Sequence, residues 1–407
     1  MSERKPLFEV SDILLAGTII SFFYSIQVTN VLIILYVLWW LLESNHKTWV
    51  LEKKDWLVLV LIAPWLLEIL SLLYSADVHE GLKQIEKKIP LIIFPFVVLH
   101  QHEGKLMKRN NFLLAVTISS VVATIHCLIV SSIHWLQTSE NTFFWYGLTG
   151  AIGFHPTYLS LIINILCVWI CIEVISKRAG LSLQKKIGMV LLFLYFAVLM
   201  ILLSSKIQLM IFLIITIISI CFYAKQNLNW KLMTLVAALG LMMVAVLTID
   251  KMKERFLHIN TYHYQLNAPV ETFNELTVRL ALFECSSILI RQNPVFGTGI
   301  GDVMSDLDHV YREVDYKFGY LDHQDPHNQY LRVILGTGSV GLLLLVASFV
   351  IPFWLGVRSK DYLLMAFLLI FSVSFLFESV LERHNGIVIF SILNAILILR
   401  PEGRVNF

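Results

Sequence analysis

The sequence predicts an all-α polytopic membrane protein, with about twelve transmembrane helices and one long, partly helical loop outside the membrane. Three observations predict it. The composition is 57% hydrophobic and only 15% charged, with a mean hydropathy of +0.74, and no soluble core hides that many apolar runs. Those runs approach the ~20 residues a helix needs to cross hydrocarbon, and short charged clusters separate them. A single long polar interval, Asp250 to Pro326, interrupts the pattern and leads straight into PHNQYLRVILGTGSVGLLLLV at 326–346. The formal net charge of +2 is uninformative; the distribution of charge is what matters.

In order, the spans fall at roughly 11–26, 28–43, 56–74, 89–100, 111–135, 156–175, 187–204, 207–223, 231–249, 328–357, 361–377 and 386–400. The first two are parted only by Ser25 to Asn30, so one long tilted helix over 11–43 is the alternative. The fourth is short and carries Pro90 and Pro95. Ahead of it, SADVHEGLKQIEKK at 75–88 reads as a short amphipathic helix lying on the outer surface. The segment 136–155 is aromatic and free of Lys and Arg, as an interface-hugging stretch would be. The chain thus divides into spans one to nine (1–249), an outer loop (250–327), and spans ten to twelve with a short tail (328–407).

Orientation follows from Lys and Arg. With the amino terminus inside, short inner segments carry eighteen of them and short outer segments five, a positive-inside bias. Both termini are then cytoplasmic and the long loop lies outside the cytoplasmic membrane. The opening MSERKPLFEVSD is too polar for a signal-peptide core, so the first span is expected to stay in place. Of the five cysteines, only Cys285 falls in the long loop, so no disulfide framework is expected. Cys167 and Cys171, one helical turn apart in an apolar run, read as packing residues.

The long loop has its own pattern. Residues 274–291 place apolar side chains at helical spacing, and 302–315 fit a second helix. Between them NPVFGTGIGD, 293–302, is a Pro/Gly turn whose glycines allow close backbone approach. Residues 316–326 read as irregular, with Pro326 placed to start the tenth span.

His327 stands at the outer edge of that span. Alone it would be an interfacial helix cap. Among Asp322, His323, Gln324, Asp325, Asn328 and Gln329 its ring can be hydrogen-bonded and poised as a base. Arg332, five residues further on, must snorkel, pair or line a polar cavity. Arg383, between Glu382 and His384 and a turn past Glu378, suggests an ion pair holding the last hairpin. His155, with Tyr158, opens the sixth span on the outer side. Asp302, Asp306 and Asp308 are spaced like the polar face of a helix, and Asp322, His323, Asp325 and His327 form only a loose set, so neither metal nor cofactor is expected. GTGIGD lacks a strand context and no Walker loop occurs, which leaves no nucleotide or nucleic-acid partner.

At this point the pattern becomes specific. His327, Tyr330, Leu331, Gly338 and Gly341 form His-x-x-aromatic-Leu followed by Gly-x-x-Gly and an apolar run. Upstream stand Arg279 and Pro294-Val295-Phe296-Gly297-Thr298-Gly299, and earlier still Ser204-Ser205-Lys206. Together these resemble the signature of the O-antigen ligase and O-antigen polymerase superfamily over roughly 155–400. Lys206 stands where the family commonly has arginine, keeping the charge but losing the bidentate fork; its alternative is a snorkelling interfacial lysine.

The resemblance implies a GT-C-like glycosyltransferase of a bacterial inner membrane. It would move a glycan from an undecaprenyl-diphosphate carrier to lipid A core or to a growing polysaccharide, at the periplasmic face, among membrane lipids. His327 and Arg279 would be catalytic. Lys206, Arg291, Arg332, Arg383, His155 and Tyr330 would bind diphosphate or glycan. Ligase and polymerase share the signature, so both stay open. A protein O-glycosyltransferase ranks lowest, because the chain ends soon after its last span. A transporter or flippase is the rival from another class; its ionisable residues would lie mid-membrane, where only Glu68 and Glu173 qualify.

Overall fold

The computed structural model describes residues 10–43, 55–100, 107–176, 182–223, 265–270 and 273–399. Among these the regular elements are helices. In order they are α1 (Val10–Phe22), α2 (Ile26–Glu43), α3 (Asp55–Ser71), α4 (Val78–His100), α5 (Arg109–Thr138), the single turn α6 (Tyr146–Thr149), α7 (Pro156–Ser176), α8 (Leu183–Leu203), α9 (Lys206–Tyr223), α10 (Glu275–Gln292), α11 (Val303–Glu313), the short α12 (Lys317–Leu321), α13 (Gln329–Ser359), α14 (Tyr362–Phe375) and α15 (His384–Leu399). Five are long and apolar enough to cross a membrane: α2, α5, α7, α8 and α13. Shorter apolar helices stand at four other expected spans, α1, α9, α14 and α15. The chain is a helical, multi-pass membrane protein; the expected span at 231–249 lies outside the described residues.

Two sequence expectations change here; one is at 316–326, expected to be irregular, where 317–321 form α12. Residues 78–100 form one continuous helix, so the surface helix expected at 75–88 and the short span at 89–100 are a single element. Lys88 is consequently buried rather than spread on a surface. At the amino terminus two helices form, separated by a turn at 23–25. Ser21 Oγ meets Thr29 Oγ1 across that hairpin at 3.1 Å.

The chain divides into two compact units, Met1–His46 with Gln101–His258, and Lys47–His100 with Ile259–Phe407. In the first, α7 is buried along most of its length. Two of its polar side chains, Asn164 and Trp169, find partners on neighbouring helices. Asn164 Nδ2 donates to the Gln208 carbonyl at 3.0 Å and to Gln208 Oε1 at 2.9 Å. Trp169 Nε1 donates to Asn110 Oδ1 at 3.2 Å.

The second unit is built around α15, buried from Gly386 to Leu399 and apolar over that stretch apart from Ser391 and Asn394. It packs on α4, while α3 packs on α13. Helices α10 and α11 close over a small core of Ala281, Leu282, Cys285, Leu289, Leu307 and Tyr311, which Leu335 of α13 joins. Asn274 caps α10: its Oδ1 accepts from the N–H groups of Leu276 and Thr277, and Thr277 Oγ1 accepts in return from the Asn274 N–H. Burial pushes the Cys285 thiol up to about 12, with Glu284 adding to it, so this cysteine serves as packing.

Helix α13 is broken at Gly338, which sits at φ 67 and ψ −165. A break in a transmembrane helix strands backbone groups that hydrocarbon cannot satisfy. The 293–299 turn supplies the partners. Thr298 and Gly299 N–H donate to the carbonyls of Leu335 (2.8 Å) and Gly336 (3.0 Å), and Ser339 and Val340 N–H donate to those of Pro294 (2.9 Å) and Val295 (3.3 Å). The approach leaves no room for side chains: a Cβ on Gly338 would lie 2.1 Å from the Val295 carbonyl oxygen, and one on Gly297 would lie 2.4 Å from that of Leu335. The two glycine motifs, read separately from the sequence, are the two halves of one joint.

Candidate functional site

The best-assembled group of the predicted residues lies in the second unit, where the turn before α13 meets the connector between α14 and α15. Asn328 caps α13 through Oδ1, which accepts from the N–H groups of Tyr330 (2.9 Å) and Leu331 (3.1 Å). Its Nδ2 donates to the Leu376 carbonyl at 3.0 Å, tying the two segments together. Asp325 holds the turn from the other side: its Oδ1 accepts from the His327 N–H at 3.0 Å and from the Ser379 hydroxyl. His327 takes φ 49, a left-handed conformation that non-glycine residues seldom adopt and that is common at functional sites.

The imidazole is held between two acceptors. Nδ1 lies 3.7 Å from Glu378 Oε2, and Nε2 lies 3.3 Å from Gln324 Oε1. The ring is partly buried but still reachable, its side chain 29% exposed. The neighbouring Glu378 carboxylate raises the His327 pKa above its ordinary value; burial opposes this, and Asp325 adds to the rise against the Arg279 guanidinium. Arg279 reaches the same connector, at Phe377 next to Glu378. Arg279 itself pairs with Glu275 at 3.3 Å and its guanidinium carbon lies 5.5 Å from the centre of the Phe377 ring. Around it on α10, Leu276, Leu280 and Phe283 are exposed. The cation is framed by apolar surface.

Behind the histidine lies a charge cluster that sequence reading missed. Glu382 Oε1 accepts from Lys88 Nζ at 2.7 Å and from Gln329 Nε2 at 3.2 Å. Its Oε2 faces Arg332 Nε at 3.4 Å, and Lys88 also reaches Glu68 at 3.0 Å. All four charged side chains are at most 10% exposed. Arg332 therefore neither snorkels nor reaches solvent, although its Nη1 has no hydrogen-bond partner among the described residues. Lys88 and Arg332 hold the Glu382 carboxyl below the usual carboxylate range despite its burial. The signal available was charge parity: Lys88 and Glu68 are costly in an apolar setting unless paired.

The other predicted residues are placed as follows. Arg383 is 58% exposed and 3.9 Å from Glu378, so the expected ion pair is present at its loosest limit. The Tyr330 hydroxyl donates to the Ser372 carbonyl at 3.0 Å, facing α14. Arg291, exposed at the far end of α10, is roughly 18 Å along the helix from Arg279. His155 and Lys206 belong to the first unit. His155 packs against Trp145, Tyr146 and Tyr158 and its Nδ1 accepts from the Thr157 N–H at 3.2 Å. Lys206 opens α9 directly after Ser204, which has φ 49, and Ser205, whose hydroxyl lies 3.5 Å from Thr157 Oγ1. Of the acidic set in the long loop, Asp302 caps another turn, accepting from the N–H groups of Ala76 (2.6 Å) and Asp77 (2.7 Å). His323 pairs with Asp308.

Residues 190–346 match the family model described as O-antigen ligase. The match carries Lys206, Arg279, Arg291, His327, Tyr330 and Arg332, and it agrees with the resemblance that the histidine motif carries. His155, Glu378, Glu382 and Arg383 lie outside it. No curated protein matches the chain significantly.

Proposed function

We propose that this protein transfers a glycan from an undecaprenyl-diphosphate carrier to an acceptor at the periplasmic face of the inner membrane, as an O-antigen ligase. The observation that carries the proposal is His327, held by Glu378 and Gln324 beside Arg279, within the stretch that matches the ligase family. His327, in its neutral form, takes the proton of the acceptor hydroxyl. The hydroxyl oxygen bonds to the anomeric carbon as the bond to the carrier's phosphate breaks, its electron pair leaving on the diphosphate. Arg279 stabilises that developing charge, and its apolar frame suits the lipid attached to it. Arg383, exposed beside Glu378, is a further contact for the phosphate or glycan in this reading. The long loop faces the periplasm and both termini the cytoplasm.

A polymerase of the same superfamily is the second reading, supported by the same match. A chromosomal knockout complemented with wild type, His327→Ala or Arg279→Ala tests both. If the complemented wild type restores long glycan on lipopolysaccharide and both variants fail at normal protein level, the site assignment stands. Carrier-linked polymer accumulating in the knockout means ligase; core bearing a single repeat means polymerase. Full glycan output from both variants refutes the proposal.

A further inference from the structure

Outside the catalytic reading, the 293–299 turn has an unusual combination of properties. Pro294, Val295 and Phe296 are exposed, Phe296 at 60%, yet the carbonyls of all three are taken by protein donors. Ser339 and Val340 N–H take the first two, and the Tyr74 hydroxyl donates to the Phe296 carbonyl at 2.6 Å. A water-facing turn has no need of such saturation, because water satisfies carbonyls. A hydrocarbon-facing turn requires it.

Depth agrees. At the opposite end of α13 the Arg358 guanidinium lies 3.7 Å from the centre of the Trp354 ring, an interfacial pairing of aromatic and cation. Counting back along the helix from Trp354, the contacts with the turn at Gly338 and Leu335 come ~24–28 Å away, against ~30 Å of hydrocarbon. The exposed apolar face of α13, Leu343, Val346 and Val350, thus leads up to the level of the turn. Leu73 and Tyr74, at the end of α3, are exposed at the same joint, and Tyr74 has the amphipathic ring common at bilayer interfaces.

The geometry points to the 293–299 turn as a membrane-seated shoulder, with Val295 and Phe296 in contact with phospholipid acyl chains at the outer-leaflet hydrocarbon boundary. The rest of the α10–α12 subdomain stands above it, in water. The inference rests on α13 being a span and is independent of glycan transfer.

The test uses the full chain, cysteine-free, in nanodiscs of synthetic phosphatidylcholine and phosphatidylglycerol that contain no polyprenyl carrier. A nitroxide is placed at Phe296→Cys, with Val295→Cys as the second position in case the first fails to fold, and His309→Cys as the solvent reference. Collision rates are measured with oxygen, which partitions into lipid, and with a nickel chelate, which stays in water. The expected result is an oxygen-to-nickel ratio at 296 or 295 several-fold above that at 309. A ratio equal to that of 309 overturns the inference, since the turn would then be in water. Protection from both reagents also overturns it, and would indicate a protein cover such as a second copy.

Discussion

At the residue scale the central pair is His327 and Glu378. A base must be neutral to accept a proton, whereas Glu378 favours the imidazolium. The activity of the wild type should therefore rise with pH through a His327 pKa above the ordinary ~6.5. Glu378→Gln keeps the shape and removes the charge, so that limb should move to lower pH, as measured by glycan transfer in proteoliposomes across a pH series. An unmoved limb would mean that Glu378 does not set the titration. The linkage sign is the same: the pair stabilises the fold fully below the unfolded histidine pKa and is lost as pH rises through the raised folded value. His327→Ala should lower the rate by ~10²–10⁴-fold. The histidine and Arg279 were legible because their motif is local. Glu378 read only as a partner of Arg383, because nothing in its own stretch points to a histidine on another element.

At the element scale the informative helix is α4. Lys83 is 53% exposed and Lys88 only 4%, so a run of charges that resembles one solvated face splits between solvent and core. Its prolines did not end the helix either: Pro90 and Pro95 lie inside it. Periodicity located the apolar end, but the boundary was set by tertiary partners it does not report. The glycine joint of α13 had the reverse fate. Both glycine motifs were visible, and only the fold reveals that they face each other. The joint predicts a contrast between two small substitutions. Gly338→Ala forces a Cβ into a positive-φ position 2.1 Å from the Val295 carbonyl oxygen and should cost on the order of 2–4 kcal/mol. Gly336→Ala meets the Val303 side chain at 3.4 Å and the Ile300 Cα at 3.8 Å, both ordinary contacts, and should stay close to wild type. Thermal aggregation of the detergent-solubilised variants, compared side by side, checks it; equal losses would remove the joint from the explanation.

At the scale of the whole second unit, Lys88 and Glu382 are joined across 294 positions of sequence. They link α4 to the connector that frames His327, and through Arg332 and Gln329 to the start of α13. Two cations balance two carboxylates, and each charge depends on the others for its tolerance in an apolar setting. This balance also bears on the transporter alternative. The cluster sits by the end of α3 and the start of α13 rather than along a path through mid-span, and it is paired within itself. Lys88→Met leaves Glu68 and Glu382 sharing one arginine, a loss on the order of 3–5 kcal/mol, so folded yield and thermal stability should fall sharply. Adding Glu68→Gln to that variant restores neutrality and leaves the Arg332–Glu382 pair intact. Most of the stability should return, giving a large favourable coupling in the double-mutant cycle. A double variant no more stable than Lys88→Met alone would mean that the cluster is held by packing, and that charge balance does not fix the connector behind the histidine.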